Sequence, residues 1–319
     1  FINTTKLIGL LALLVFLCPS CKDDDKINPD DGCEKFPEID DGPSIIGPIV
    51  QKPYQRKAPC FNPNNNNEFA YVKTENNIQT LVRYNLENEE EHILAENVDI
   101  IGQPNWGQNN KIVFVERYQL KLIDLKSTSN IKSLTSENYH LYPKWQNDTT
   151  IIAEFSFNLG RPYFQMNLNS NSLKFDTIRN QTFTMGTINE DENFAYIEYR
   201  DEPDITITQN SNYSKLTNKS FTGYNRIEGL CWLGTEDVIY STYRTGIFKI
   251  NTTNKQETLI KNSCDTRSYR HLSISHDVTK ILAERVDATD YSTEDGGWTE
   301  ESKIDIMEID GSNERVLFE

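Results

Sequence analysis

The stretch QPNWGQNNKIVFVE (103–116) is repeated in outline by YPKWQNDTTIIAEF (142–155). Each has a proline two positions before a tryptophan, then a polar tight turn, then an apolar run. Asn, Asp and Gly suit such turns because they tolerate left-handed backbone and hydrogen-bond their own main chain. The pattern predicts a β-hairpin that the chain uses more than once.

The same outline occurs six times along the chain. An aromatic or apolar anchor precedes each turn, and successive anchors are 45, 39, 43, 44 and 42 residues apart. A fixed period of this length is typical of a repeat architecture. The six anchors are Phe61, Trp106, Trp145, Ile188, Trp232 and Ile274.

Each unit continues with an apolar second strand, a third strand that ends on a polar corner, and a short fourth strand. Blade one has FAYV, LVRYNLEN and HILA in this order. Four strands in each unit of about 40–50 residues are typical of a propeller blade. The nearly continuous apolar second strands fit blades that bury both faces against their neighbours. The sequence therefore predicts an all-β fold, a six-bladed β-propeller of four-stranded antiparallel blades.

Unit six, LSISHDVTKILAE (272–284) with KIDIMEIDGSNERVL (303–317), resembles the repeat of TolB-like β-propellers, which are WD-repeat-like. The resemblance covers residues 55–319 and implies six blades. The Ser-Pro-Asp-Gly turn of that family is replaced here by sequences such as NPNN, GQNN and QNDT. The chain ends on the last strand of unit six, so no exchanged strand is expected to close the ring.

The N-terminal segment is similar to a bacterial lipoprotein signal. Lys6 precedes the apolar run LIGLLALLVFL (7–17), which is too short for a membrane-spanning helix, and CPSC follows. We interpret 1–20 as a lipoprotein signal peptide, with Cys21 as the lipidated residue. Residues 21–54 are interpreted as a flexible acidic, proline-containing tether and 55–319 as the propeller. An ordinary secretory signal is the alternative.

The tract CKDDDK (21–26) resembles the export signal of some Gram-negative surface lipoproteins, although a solvated acidic linker is the alternative. We expect an outer-membrane lipoprotein, exposed at the cell surface or facing the periplasm. The net charge of −16 argues against nucleic acid as a partner and limits membrane contact to the lipid anchor.

Four cysteines follow Cys21 in this interpretation, and none forms a C-x-x-C pair. The envelope permits disulfides. Cys60 and Cys231 directly precede anchors, which favours small buried hydrophobes. A bridge between Cys33 and Cys264 is one alternative, and the pairing stays open.

No nucleophile elbow, phosphate loop, zinc motif or complete calcium loop occurs, so no catalytic residue, metal or cofactor is assigned. Residues just upstream of each first strand are expected to line a central funnel that is locally positive. A solvated polar funnel is the alternative, as is a metal-dependent site of the polysaccharide-lyase type with His140 facing His271 across the ring. The funnel candidates are Arg56, Gln103, Tyr139, His140, Arg226, Glu228, Arg270 and His271.

The insertion VDATDYSTEDGGWTEESK (286–303) is longer than the equivalent connection in the other units. Long loops on rigid scaffolds often carry binding, so an exposed Trp298 is a candidate for an interaction loop, with a Trp that packs back onto its blade as the alternative. We therefore expect a binding or scaffold protein whose partner is another envelope protein or an acidic glycan. A carbohydrate-binding or carbohydrate-active propeller is the alternative, and an enzyme is the less favoured interpretation.

Overall fold

The computed structural model describes residues 49–127, 131–136, 139–155, 163–170, 172–174, 183–198, 203–209, 212–217, 219, 221, 226–264, 266–290 and 297–318. These residues form β-strands and no helix. Consequently, none of the described segments is a helix able to cross a membrane. The predicted signal peptide, Cys21 and the tether up to residue 48 lie outside the described residues.

The first three blades follow a short strand, β1 (Ile49–Gln51), and each is a four-stranded antiparallel sheet in chain order. Blade one contains β2 (Tyr54–Asn62), β3 (Asn65–Glu75), β4 (Ile78–Asn85) and β5 (Glu90–Val98). Blade two contains β6 (Asn105–Trp106), β7 (Lys111–Glu116), β8 (Gln119–Asp124) and β9 (Lys132–Ser133). Blade three contains β10 (His140–Asn147), β11 (Thr150–Phe155), β12 (Tyr163–Asn167) and β13 (Ser172–Lys174).

The last three blades repeat this order. Blade four contains β14 (Phe183–Ile188), β15 (Phe194–Glu198), β16 (Asp204–Gln209) and β17 (Asn212–Lys215). Blade five contains β18 (Ile227–Leu233), β19 (Asp237–Thr242), β20 (Gly246–Asn251) and β21 (Glu257–Asn262). Blade six contains β22 (Arg267–Ile274), β23 (Lys280–Thr289), β24 (Trp298–Glu308) and β25 (Arg315–Val316). The predicted all-β, six-bladed propeller is confirmed.

The hydrophobic core lies between the blades. In β7, four consecutive residues from Ile112 to Val115 are buried, because alternate side chains face the two neighbouring blades. Ile112 and Phe114 pack with residues of blade one, whereas Val113 and Val115 pack with residues of blade three. Burial of each such side chain contributes roughly 1.5–3 kcal/mol. Stacking of the blades therefore explains the continuous apolar second strands.

Four of the six first strands share a bulge three positions before the anchor. The backbone φ is positive at Ala58, Tyr142, Met185 and His271, with values of 54°, 47°, 53° and 48°. The register of β2, β10, β14 and β22 shifts at the same place. A bulge re-aims the side chains of its strand. The bulge in these four strands therefore changes the direction of the side chains that face the centre of the ring.

The ring closes between blade six and blade one through both ends of the described propeller. Strand β1 pairs in parallel with β24, with Ile49 opposite Trp298 and Gln51 opposite Glu300. Phe318 packs on the rings of Tyr71 and Tyr84 of blade one, at 5.2 and 4.9 Å between centroids. The expectation that no exchanged strand closes the ring was wrong, because β1 adds a strand to blade six.

Candidate functional site: the central channel and its upper mouth

Two layers of residues line the channel at the centre of the ring. Each layer is defined by the number of sequence positions that separate its residues from the anchors. In five of the six blades the residue three positions before the anchor lines an upper compartment of about 350 Å³ of space, part of it open to solvent. Residues one position before an anchor line a lower compartment of about 530 Å³, again partly open. We call the latter set the channel ring: Cys60, Asn105, Lys144, Thr187, Cys231 and Ser273.

Polar contacts between blades fix the channel ring. The anchor amide of Trp145 donates to Asn105 Oδ1 of the preceding blade at 2.8 Å. In the same way, the amide of Phe61 donates to Ser273 Oγ at 3.0 Å across the closure of the ring. The side chains of the ring therefore hold adjacent blades together as well as facing the channel.

Gln103 and Lys144 line both compartments and so lie where the two meet. Gln103 is buried, and its Nε2 donates to the carbonyls of Pro59, His271 and Leu272 at 2.6–3.1 Å. Lys144 Nζ donates to Gln103 Oε1 at 3.2 Å. Burial lowers the pKa of Lys144. Gln103, which the sequence predicted to face the channel, lies there, but its amide is committed to the backbone of two other blades.

Four of the predicted funnel residues come together at the upper mouth of the channel. Arg226 pairs with Glu228, and Arg270 Nε lies 2.9 Å from the second oxygen of Glu228. Arg270 also donates to both oxygens of Glu300 at 3.3 Å. The Arg226 guanidinium lies over the Tyr243 ring at 4.0 Å from its centroid. Two arginines therefore pair with two carboxylates, so the positive charge that the sequence predicted for the funnel is offset at its upper mouth.

The fourth predicted residue, His271, is fixed by a buried carboxylate. Its Nδ1 lies 2.6 Å from Glu284 Oε2, which also accepts the Ala58 amide at 2.9 Å. Ser302 Oγ donates to the other oxygen of Glu284 at 2.9 Å. Burial would raise the pKa of Glu284, but His271, Arg270 and the Ala58 amide outweigh it and lower that pKa to about 2. Glu284 therefore acts as an ionised link between blades six and one.

Two predicted funnel residues point elsewhere. His140 is buried within blade three, with its ring 4.7 Å from that of Phe164 and 5.4 Å from that of Phe155. Burial lowers its pKa to about 4, so the imidazole is neutral at pH 7. The guanidinium of Arg56 lies over the ring of Phe318 at 4.7 Å. The prediction that His140 faces His271 across an open funnel was wrong, because aromatic packing holds His140 inside its blade.

The last two predicted residues lie at the rim. Tyr139 is exposed, directly before β10. Trp298 is half-buried at the start of β24, and its indole Nε1 donates to Glu300 Oε1 at 3.3 Å. The expected exposed Trp298 is therefore corrected to one that packs on its blade. Residues 291–296 of the predicted loop lie outside the described residues.

The cysteines divide into two kinds. Cys60 and Cys231 are free and buried, and burial raises the pKa of both thiols to about 12. Cys264 is disulfide-bonded. Cys33 lies outside the described residues, so the Cys33–Cys264 alternative stays a prediction.

No group of three or more His, Cys, Asp or Glu suited to hold a metal occurs within the part of the chain that the structure describes. The side chains of the upper mouth satisfy one another, and the His271–Glu284 pair orients a single imidazole towards the upper compartment. This arrangement can stabilise the ring and present a polar mouth. The channel ring differs, because it contains a lysine, Lys144, that has no carboxylate partner among the described residues.

The sequence analysis missed the channel ring, although the repeat contained the signal for it. The predicted funnel residues lie near the start of each first strand, whereas the position directly before each anchor lines the lower compartment in all six blades. Glu284 and Glu300 were also missed, because they come from β23 and β24, away from the strands that line the channel. Their role depends on packing between blades.

Comparison with known proteins identifies the fold. No family model matches the chain, and no curated protein matches it. A protein assigned as TolB in Agrobacterium tumefaciens superposes with a TM-score of 0.60 at 11% identity, over 75% of this chain and 88% of that one. TolB from Acinetobacter baumannii gives 0.57 at 18% identity, over 77% of this chain and 62% of that longer one. An oligogalacturonate lyase in complex with manganese gives 0.52 at 14% identity, over 79% and 76%.

The fold places the protein in the class of six-bladed β-propellers, a fold that it shares with the two TolB proteins. The TolB-like resemblance predicted from the repeat is confirmed at the level of the fold.

Proposed function

We propose that the protein is a lipid-anchored scaffold of the cell envelope whose propeller docks another envelope protein on its upper face. The upper face is the end of the propeller at which the first strand of each blade begins. Since the strands of a blade alternate in direction, the turns between second and third strands lie at this same end.

The distribution of exposed hydrophobic side chains carries this proposal. Of the ten large hydrophobic residues exposed in the described part of the chain, six lie at the upper end. Tyr54, Ile78, Tyr118 and Tyr139 are 56%, 54%, 48% and 50% exposed. Exposed apolar and aromatic groups on one face favour protein contact, and Tyr is enriched at interfaces. The remaining two of these six exposed residues are Ile49 and Val50.

These side chains lie on rigid parts of the scaffold in two neighbouring pairs. Tyr54 begins β2 and lies opposite Glu75, the last residue of β3. Ile78 begins β4, directly after the hairpin turn that follows Glu75. The carbonyl of Tyr118 accepts the amides of Tyr139 and His140, both at 2.9 Å. Backbone fixed in this way reduces the conformational entropy lost on binding.

The proposed cellular location is supported by the N-terminal sequence. The apolar run 7–17, Cys21 and the acidic tract after it support a lipoprotein, and CKDDDK supports exposure at the cell surface. A body facing the periplasm is the alternative. The likeness to TolB proteins is consistent with an envelope protein of a Gram-negative bacterium.

Crosslinking in intact cells tests the docking face. A photo-reactive amino acid is placed at Tyr118 or Tyr139 on the upper face, and at Val278, an exposed residue in the turn after β22 at the lower end. We expect one discrete crosslinked protein from the upper positions and none from Val278. The captured partner is then identified by mass spectrometry.

A matched variant separates docking from folding. Tyr118→Ser combined with Ile78→Ser is expected to reduce the crosslink at Tyr139 at least tenfold while leaving the melting temperature within a few degrees. Equal crosslinking from Val278 and Tyr139, or no product at either upper position, would overturn the docking proposal.

Cell fractionation and protease treatment of intact cells test the proposed cellular location independently of the docking face. Cys21→Ser is expected to release the protein from the membrane fraction. Digestion by external protease supports surface exposure. Protection, with digestion only after the outer membrane is permeabilised, places the body in the periplasm.

A carbohydrate-binding function is the second candidate. It is supported by the likeness to an oligogalacturonate lyase and by the single His271 that faces the upper compartment. Binding of an acidic oligosaccharide that requires Mn²⁺ and is lost in His271→Ala would favour it. Equal melting temperatures with chelator, Mn²⁺ and oligogalacturonate would count against it.

A further inference from the structure

The channel ring combines neutral side chains with a single basic one. Five of its six side chains are neutral at pH 7: two thiols, one carboxamide and two hydroxyls. The sixth is the side-chain amine of Lys144. The repeat thus places one basic residue at a position that is otherwise small and uncharged.

Lys144 has no charged partner among the described residues. Its hydrogen bond goes to the neutral Gln103 carboxamide, and the ionisable groups that influence it are the thiols of Cys231 and Cys60. Burial raises the pKa of both thiols to about 12, so they remain uncharged at pH 7. A cation shielded from water is costly unless it is paired, and burial accordingly lowers the pKa of Lys144.

The neighbouring ring residues are arranged as donors. Asn105 Oδ1 is occupied by the Trp145 amide, which leaves its Nδ2 as a donor. Ser273 Oγ accepts the Phe61 amide, which leaves its own hydroxyl hydrogen to donate. Donors around a lone cation are the arrangement that binds an anion through charge-assisted hydrogen bonds.

We propose that the channel ring binds a small oxyanion, a carboxylate or a sulfate- or phosphate-type group, with Lys144 as its counter-charge and Asn105 and Ser273 as further donors. The lower compartment, at about 530 Å³ with its open part, accommodates such a group. The site is independent of the proposed docking face, because its residues lie one position before the anchors and not at the upper rim.

Titration calorimetry of the purified full chain with sodium sulfate tests the proposal, with ionic strength held constant by NaCl. Sulfate is chosen because it keeps its charge from pH 5 to 9. Acetate and glucuronate are titrated in parallel, since a preference for either identifies a carboxylate as the physiological group. The variant is Lys144→Met, and the matched control is Lys126→Met, which removes an exposed lysine in the turn after β8.

We expect one site in the wild type and in Lys126→Met, with at least tenfold weaker binding in Lys144→Met. Wild-type sulfate affinity should fall as pH rises through the pKa of Lys144, because the neutral amine no longer pairs with the anion. Equal binding by wild type and Lys144→Met, or no binding by either at constant ionic strength, would overturn the proposal.

A second measurement uses only the wild-type protein, in case Lys144→Met does not fold. Reductive methylation followed by peptide mass spectrometry reports the accessibility of each amine. Sulfate is expected to slow modification of Lys144 at least threefold and to leave Lys126 unchanged. Identical rates at Lys144 with and without sulfate would contradict an anion at the channel ring.

Discussion

At the scale of single residues, the inner wall of the ring follows a simple rule of position. The side chain directly before each anchor faces the lower compartment in all six blades, and four anchors, Trp145, Ile188, Trp232 and Ile274, also line it. In blade two these are Asn105 and Trp106, and in blade three they are Lys144 and Trp145. The position directly before each anchor therefore specifies the channel, whereas the anchors Phe61 and Trp106 pack in the hydrophobic core.

Glu284 provides a test at this scale. Its pKa of about 2 in the folded protein lies below the ordinary value of 4.5, a difference that corresponds to roughly 3 kcal/mol. A lowered carboxyl pKa stabilises the fold above pH 4.5, and this contribution is lost as pH falls from 4.5 towards 2. We therefore expect Glu284→Gln to destabilise the protein by about 2 kcal/mol at pH 7, measured by urea unfolding.

The pH dependence identifies the cause. At pH 3.5 the difference between wild type and Glu284→Gln should narrow by roughly 1 kcal/mol, because the wild type has lost part of its ionised contribution. Glu96→Gln, which changes an exposed glutamate on β5, is the control and should shift stability by less than about 0.5 kcal/mol at either pH. A constant difference at both pH values would show that the charge of Glu284 has no part in its effect.

At the scale of elements, the ring is joined by short segments outside the regular blades. The parallel pairing of β1 with β24 is reinforced by side chains. Gln51 Nε2 donates to Glu300 Oε2 at 2.9 Å, and Lys52 pairs with Glu301 at 3.1 Å. The amide of Lys52 donates to the Glu300 carbonyl at 2.9 Å. Glu300 therefore links β1 to the charge network of the upper mouth.

Two substitutions at Val50 distinguish the contribution of the β1 backbone to stability from that of the Val50 side chain. Proline at this position removes a backbone donor in the middle of the strand and should cost roughly 1–2 kcal/mol. Hydrogen exchange of residues 298–302 should also accelerate. Val50→Ala is the matched control, because this side chain is exposed and its loss should cost less than about 0.5 kcal/mol. Unchanged exchange at 298–302 in Val50→Pro would mean that β1 does not hold the ring.

At the scale of the whole molecule, the stability of a propeller depends on closure between its first and last blades. Here closure combines an aromatic cluster with buried polar links. Leu282, Ile304 and Ile306 of blade six pack with Phe61, Phe69 and Tyr71 of blade one. Gln55 crosses the same interface, because its Oε1 accepts the Ser302 amide at 2.6 Å and its Nε2 donates to the Glu300 carbonyl at 3.0 Å.

Phe318→Ala should weaken this interface in particular. Loss of a half-buried aromatic residue that contacts Tyr71, Tyr84 and Arg56 is expected to cost roughly 1–3 kcal/mol. Hydrogen exchange should accelerate in blades one and six more than in blade three. Ile93→Ala, on the exposed outer strand of blade one, is the control. Uniform acceleration in all blades would indicate that Phe318 contributes to global stability without a specific role in closure.

The repeat, the six blades and the anchors can be predicted from the amino-acid sequence, because the periods of turns and apolar runs reflect local backbone geometry and burial. The channel ring is also encoded in the repeat, at the position directly before each anchor. The pairing of charges at the upper mouth could not be predicted in this way. Arg270 meets Glu228 and Glu300, and His271 meets Glu284, because packing between blades brings together residues distant in the chain. The same packing places His140 against Phe164 inside its blade and Arg56 over the ring of Phe318.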